Sequence, residues 1–152
     1  MKMRLIIDGD GSPVKEEVMQ LGEKFQLPVL IVTSIDHFTD KKTPAFVQFV
    51  YVDKGMDRAD YEIVQLLDSE DILITQDYGL ASLALPKGAR VFHHSGKEYR
   101  KDTIDILLNQ RYMSAQMRKA GKKTKGPKAF TKKDRREFYT VLNDILAKEL
   151  RE

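Results

Sequence analysis

The sequence predicts an α/β protein with a mostly parallel five-stranded sheet and a C-terminal helical hairpin. Five short apolar runs alternate with helical patterns between residues 4 and 93. The runs are continuously apolar, which is typical of strands that are buried on both faces of a parallel sheet. Two long segments with helical periodicity end the chain, joined by the Gly/Pro/Lys-rich segment AGKKTKGPKAF.

The first half of the chain supplies three of the strands and one helix. The strands are predicted at Arg4–Asp8, Pro28–Thr33 and Phe46–Val52, where β-branched, aromatic and other apolar residues dominate. A helix follows the first strand, because Ser12 is a good N-cap residue and Pro13 suits the first helical position. Its apolar face is formed by Val14, Val18, Leu21 and Phe25.

The second half supplies two strands and four helices. The strands are predicted at Asp71–Thr75 and Ala89–His93. One helix runs from a cap at Asp57 to about Leu67, and the others are Tyr78–Leu85, Thr103–Lys119 and Thr131–Leu150. Thr131 and Asp134 have the spacing of a capping box. The side chains expected to face inward from the Thr103–Lys119 helix are Ile104, Leu107, Leu108 and Tyr112.

The composition excludes several classes of protein. A chain of 152 residues with 41% apolar residues can form a single domain, residues 1–152, with its own core. The absence of cysteine excludes a disulfide framework, a thiolate metal site and a cysteine nucleophile. No apolar run approaches the ~18 residues of a membrane span, and Asp8 comes too early for a signal peptide. We therefore expect a cytoplasmic protein that does not contact membranes.

The charge is unevenly distributed along the chain. Residues 1–110 contain 13 Lys/Arg and 18 Asp/Glu, a net charge of −5, whereas residues 111–152 contain 13 and 5, a net charge of +8. This basic C-terminal helical extension, residues 111–152, suggests a nucleic-acid partner, with RNA favoured over DNA. A solvated basic surface is the alternative. The predicted phosphate contacts are Lys15, Arg118, Lys122, Lys123, Lys125 and Lys128.

Aspartates follow the predicted strands. Asp8 ends the first strand and Asp77 follows the fourth, so these two lie side by side if the two strands are neighbours at the switch point of the sheet. Asp10, Asp57 and Asp60 join them from the adjoining loop and helix. Converging carboxylates repel one another unless a cation such as Mg²⁺ or Mn²⁺ neutralises them. The alternative is that these residues are ordinary helix caps and turn residues.

The candidate site follows from this placement. Asp8, Asp10, Asp60 and Asp77 are the predicted metal ligands, and Asp57 completes the predicted catalytic set. The metal polarises a phosphoryl group and activates water. A histidine metal site is not expected, because His37 is far in sequence from the pair His93 and His94.

Four segments of the sequence resemble the bacterial YaiI/YqxD family, which is similar to PIN-like nuclease domains. These segments are IIDGDGSPVK, GMDRADYEIV, ITQDYGLASLALPKGARV and GPKAFTKKDRREF, and the resemblance covers nearly the whole chain. It implies a PIN-like three-layer sandwich with adjacent first and fourth strands. It also implies metal-facing carboxylates at Asp8, near Asp57 and Asp60, and at Asp77. Ser12 stands where the family commonly has cysteine, which argues against thiol chemistry in a shared mechanism.

Three functions remain open from the sequence. The first is a metal-dependent nuclease acting on RNA or single-stranded nucleic acid. The second is a nucleic-acid-binding protein without catalysis. The third is a haloacid-dehalogenase-like phosphatase, because the DGDGS segment resembles the first motif of that class, with Asp8 as nucleophile and Asp10 as acid/base. The segment Gln76-Asp77-Tyr78 supplies only one of the two acids that such a phosphatase needs.

Overall fold

The apolar runs form the centre of a six-stranded sheet. The computed structural model describes residues 3–55, 58–121 and 129–151. The strands are β1 (Leu5–Asp8), β2 (Val29–Ser34), β3 (Val47–Val52), β4 (Ile72–Ile74), β5 (Arg90–Phe92) and β6 (Glu98–Tyr99). Their spatial order is β3-β2-β1-β4-β5-β6, in which the first five are parallel and β6 is antiparallel to β5.

Helices cover both faces of this sheet. They are α1 (Lys15–Phe25), α2 (Arg58–Leu66), α3 (Tyr78–Ala84), α4 (Lys101–Lys119) and α5 (Lys132–Glu149), with 3₁₀ turns at Ile35–His37 and Leu85–Lys87. Alternate strand residues point to opposite faces. Leu5 and Ile7 of β1 therefore pack into the core beneath α1 and α5, whereas Ile6 packs with α2, α3 and α4.

The prediction of five strands was wrong by one. Strand β6 contains only Glu98 and Tyr99, so it is too short to produce a readable alternation of apolar and polar residues. It forms because the chain turns back after β5 at Gly96, whose φ of 92° lies in the left-handed region. Arg90 of β5 then holds Glu98 with two hydrogen bonds of 2.9 and 2.8 Å.

The start of α1 also differs from the prediction. The helix begins at Lys15, with Val14 as its N-cap residue and no side-chain cap. Ser12 belongs instead to the preceding loop, where its backbone N–H donates to the Gly9 carbonyl at 3.4 Å. The left-handed φ of 79° at Gly11 closes this turn before the helix begins.

Helix α4 is less buried than the sequence suggested. Ile104 is buried, and Leu107 and Leu108 are half-buried, but Tyr112 is 59% exposed, so its predicted inward position was wrong. The physical reason is length. At 1.5 Å per residue a 19-residue helix extends well beyond the two-residue strand β6 and the short helix α3, and the start of α4 is the part that packs.

Helix α5 belongs to the core although it lies in the basic part of the chain. Phe138, Leu142 and Leu146 are fully buried and pack in the cluster that includes α1. The predicted capping box is present, with Thr131 and Asp134 bonding each other's backbone N–H groups. No helix within the described ranges is long and apolar enough to cross a membrane.

Candidate functional site

The carboxyl ends of β1 and β4 form the switch point of the sheet. The two strands are parallel neighbours in register, with Leu5 opposite Ile72 and Ile7 opposite Ile74, which confirms the predicted adjacency. The chain leaves β1 towards α1 on one face and leaves β4 towards α3 on the other. This divergence opens a crevice where ligands bind in open α/β sheets.

Asp8 is the central carboxylate of this crevice. It is the last residue of β1 and only 9% exposed. Its Oδ2 accepts a 2.8 Å hydrogen bond from the Thr75 hydroxyl. Burial, together with the nearby charges of Asp77 and Asp10, raises the pKa of Asp8 to about 6, and the hydrogen bond from Thr75 opposes this rise. The ionised form of Asp8 is therefore the costly one in the absence of a cation.

Thr75 connects Asp8 to Asp77. The Thr75 hydroxyl donates to Asp8 and accepts from the Asp77 backbone N–H at 3.0 Å. The Asp77 side chain is the N-cap of α3, where its Oδ1 accepts from the N–H groups of Gly79 and Leu80 at 2.8 and 3.3 Å. Asp77 is therefore a helix cap at the switch point, and its role as a metal ligand stays a prediction.

Asp10 is held on the β2 side of the crevice. Its Oδ1 accepts from the Thr33 hydroxyl at 2.6 Å and the Ser34 N–H at 3.0 Å, and contacts His37 Nδ1 at 2.9 Å. Burial opposes ionisation of Asp10, but these hydrogen bonds and the His37 charge outweigh it and lower the pKa. Asp10 is therefore the stably ionised neighbour of Asp8.

The predicted contribution from α2 is partly described. Asp60 lies in the first turn of α2, and a cleft of about 530 Å³ between α2 and α3 is lined by both Asp60 and Asp77. Asp57, which was predicted to cap this helix, lies outside the described residues. Asp60 and Asp77 therefore border the same cleft.

The donor set is made of carboxylate and hydroxyl oxygens, the type that Mg²⁺ and Mn²⁺ prefer. Within residues 3–55, 58–121 and 129–151, no group of three or more histidine, aspartate and glutamate side chains is arranged to hold a metal ion. Mg²⁺ ordinarily binds one or two protein carboxylates together with water and substrate phosphate. The described carboxylates fit a site of that kind and not a closed protein cage.

The predicted basic contacts fall in different places. Lys15 is half-buried in the first turn of α1, directly after the loop that leaves β1. Arg118 is exposed in the last turn of α4. The remaining predicted phosphate contacts, Lys122, Lys123, Lys125 and Lys128, lie outside the described residues.

Three residues of the crevice were not found from the sequence. Thr33 is the last residue but one of β2 and Thr75 directly follows β4, so the strand order places both beside aspartates. His37 was set aside because it is far from the other histidines in sequence. Its contact with Asp10 arises because β2 neighbours β1, so the segment that follows β2 lies beside the loop that follows β1.

Arg135 also lies close to this end of the sheet. Its guanidinium donates to the Pro13 carbonyl and to Glu17 at 3.4 Å, and it stacks over the Phe130 ring at 5.2 Å. These contacts attach α5 to the beginning of α1. The basic beginning of α5 is therefore anchored next to the crevice.

Comparison with known proteins gives a consistent assignment. A family model described as "Uncharacterized BCR, YaiI/YqxD family" matches residues 6–148. A UPF0178 protein of Enterococcus faecalis is 54% identical over 148 residues, which cover 97% of this chain and 100% of that protein. UPF0178 proteins of Bacillus cereus and Bacillus mycoides are 48% and 47% identical over 95% of this chain and 99% of their own lengths. No solved structure matches the chain significantly. The chain therefore belongs to the YaiI/YqxD family.

Proposed function

We propose that this protein is a metal-dependent nuclease of PIN-like type that hydrolyses phosphodiester bonds in RNA or single-stranded nucleic acid. One observation carries the proposal. The buried carboxylate of Asp8 faces the charges of Asp77 and Asp10 at the switch point of the sheet, where a bound cation would remove their mutual repulsion. The resemblance to PIN-like domains supports the same site.

The proposed metal is Mg²⁺ or Mn²⁺. Asp8 and Asp77 are the proposed direct ligands, and Asp10 and Asp60 complete the acidic crevice. When bound, such an ion polarises the phosphoryl group and lowers the pKa of a coordinated water. Asp57, next to α2 in the chain, remains part of the proposed catalytic set on sequence grounds.

The residues of the chain orient these carboxylates before any ligand arrives. Thr75 fixes the Asp8 carboxylate through its hydroxyl, and the cap on α3 fixes Asp77. Thr33 and Ser34 fix Asp10 in the same way. Preorganised charges of this kind lose little energy to rearrangement when charge develops on a phosphate.

The basic residues supply the proposed nucleic-acid contacts. Lys15 begins α1 beside the crevice and is suited to a phosphate close to the site. The segment from Arg118 to Arg136 contains ten Lys/Arg and one acid, Asp134. Contacts of this type bind phosphates with little regard to base sequence, so they position the strand and leave cleavage to the carboxylates.

Cleavage of an end-labelled single-stranded RNA tests the proposal. We expect Mn²⁺-dependent cleavage by the wild-type protein, none in EDTA, and a loss of about 10²-fold or more in Asp8→Asn, as for other groups that act on the transition state. Asp36→Asn is the matched control, because Asp36 is exposed and its carboxylate pairs with Lys54 and not with Asp8, Asp10 or Asp77. Equal cleavage by Asp8→Asn and wild type would refute the assignment.

Two other results would redirect the assignment. RNA binding without cleavage of RNA or DNA in the presence of metal would favour a non-catalytic binding protein. Release of inorganic phosphate from a phosphomonoester, with Asp8 required and no internal cleavage, would favour the phosphatase instead.

A further inference from the structure

A cavity of about 390 Å³ lies directly beside the acidic crevice. Tyr78, which lines it, follows Asp77 in the chain. Tyr99, which also lines it, donates its hydroxyl to the Thr75 carbonyl at 3.1 Å, and the Thr75 side chain bonds Asp8. The cavity and the crevice thus share one wall. The volume is near the lower end of the roughly 300–1,000 Å³ range of small-molecule sites.

The walls of this cavity differ in character. One wall is aromatic, with Tyr78 edge-on to Tyr99 at 5.7 Å between ring centroids and His93 edge-on to Tyr99 at 6.3 Å. The aliphatic part of the lining consists of Ile106 and Leu107 of α4. A lining with an aromatic and an aliphatic part suits a flat ring whose two faces are apolar.

The rim of the cavity is polar and carries a positive charge. Gln110 offers an amide with both donors and an acceptor, which matches the mixed edge of a heterocyclic base. Lys97 forms no ion pair with any described residue. Glu98 also lines the cavity, but its carboxylate is held by Arg90 at 2.9 and 2.8 Å. A cation without an ion-pair partner among the described residues favours an anionic ligand.

His93 is a neutral member of the aromatic wall at neutral pH. Burial, together with the charges of His94 and Lys97, lowers its pKa to about 4. The Ser95 N–H donates to His93 Nδ1 at 3.0 Å, so the ring proton lies on Nε2. A neutral ring can contact a base without the cost of desolvating a charge.

We propose that this cavity binds one unpaired nucleobase of the substrate, with the adjoining phosphate directed towards Asp8 and Asp77. This inference rests on the proposed function and adds a substrate class to it. A base inside a duplex is paired and stacked, and it must leave the helix before it can enter such a slot. The cavity therefore selects single-stranded nucleic acid over duplex.

Methyl NMR of the wild-type protein in EDTA tests the site directly. Adenosine 5′-monophosphate should shift the methyl signals of Ile106 and Leu107 through the ring current of the base. Ile63, buried in α2, is the internal reference and should not move. Ribose 5-phosphate, which lacks the base, should leave all three unchanged. Equal shifts with both ligands, or no shift at Ile106 and Leu107, would overturn the inference.

A cavity-filling variant gives an independent result. Ile106→Trp should weaken binding of a short single-stranded RNA in EDTA by about tenfold, the amount expected for loss of one stacked base. Met113→Trp is the matched control, because Ile106 and Met113 are 58% and 53% exposed on the same helix, and Met113 does not line the cavity. Equal weakening by both variants, or by neither, would overturn the inference.

Neither measurement requires a metal ion or cleavage of the nucleic acid. Base binding without Mn²⁺-dependent cleavage would refute the proposed nuclease activity and support base binding in the cavity. Cleavage without base binding would support the nuclease activity and refute base binding in the cavity.

Discussion

Asp8 makes the stability of the metal-free protein depend on pH. Its pKa rises from an ordinary value of 3.8 to about 6 on folding, so the folded state binds more protons between these values. The free energy of unfolding therefore falls as pH rises through this window. Asp8→Asn removes that cost and should stabilise the protein at pH 7 by at most about 3 kcal/mol, with no gain below about pH 4. Denaturant unfolding in EDTA at several pH values measures this difference.

Asp10→Asn is the control with the opposite sign. Because the pKa of Asp10 is lowered on folding, its charge adds stability above the ordinary pKa, and this is lost as pH falls through the folded value. The variant should be less stable than wild type at pH 7 and approach it in acid. Stabilisation by both variants would mean that general charge repulsion, and not the separate environment of each carboxylate, determines their effect on stability.

Thr75 should matter through its hydroxyl alone. Thr75→Val keeps the shape but leaves the Asp8 carboxylate and the Asp77 N–H without the bridging group, which should cost about 1–3 kcal/mol. Thr75→Ser retains the hydroxyl and should lose clearly less. Unfolding of the two variants at pH 7 compares them, and equal losses would mean that packing and not the bridge is what Thr75 supplies.

At the scale of elements, an ion pair fastens the beginnings of the two central strands. Arg4 precedes β1 and Asp71 precedes β4, and they are joined by bonds of 3.0 and 2.6 Å, with the Asp71 side chain fully buried. Asp71→Asn leaves Arg4 poorly paired and should cost about 3–5 kcal/mol. The exposed pair Lys133–Glu137 is the control, and Glu137→Gln should cost less than about 1 kcal/mol.

This ion pair lies at the amino end of the sheet, opposite the acidic crevice. Asp71→Asn should therefore lower the melting temperature while leaving the Mn²⁺-dependent shift in place. Loss of the Mn²⁺ response in this variant, under conditions where it remains folded, would contradict the separation of the two ends.

The elements that were predicted correctly are those with strong local signals. Apolar runs located β1 to β5, and the family resemblance implied that β1 and β4 are neighbours, as they are. Strand β6 was missed because two residues carry no periodicity. Tyr112 was misplaced because periodicity shows which residues share a face of α4 and not how far its neighbours extend.

The position of two carboxylates at the switch point was predicted from the sequence, because Asp8 ends one apolar strand and Asp77 follows its neighbour. Their role as metal ligands stays a prediction. The bridge through Thr75 and the contact of Asp10 with His37 depend on strand order, which no local pattern encodes. The cavity beside Tyr78 depends on β6 and on the packing of α4, so it could not be derived from the sequence.

Across the whole molecule, the basic segment from Arg118 to Arg136 should control how strongly nucleic acid binds. Replacing Lys122, Lys123 and Lys125 with alanine should weaken binding similarly for all sequences. It should also reduce the slope of log affinity against log salt by about one per lost phosphate contact. Titrations of fluorescent RNA at several salt concentrations measure both quantities. Unchanged affinity and slope would mean that these lysines form a solvated surface.

Thermal unfolding with and without Mn²⁺ tests whether the Asp8 crevice holds a divalent cation. A ligand that binds only the folded state raises the melting temperature by mass action. Mn²⁺ should therefore raise the melting temperature of the wild type and of Asp36→Asn, and it should leave that of Asp8→Asn unchanged. An equal rise in Asp8→Asn and wild type would mean that Mn²⁺ does not bind through Asp8.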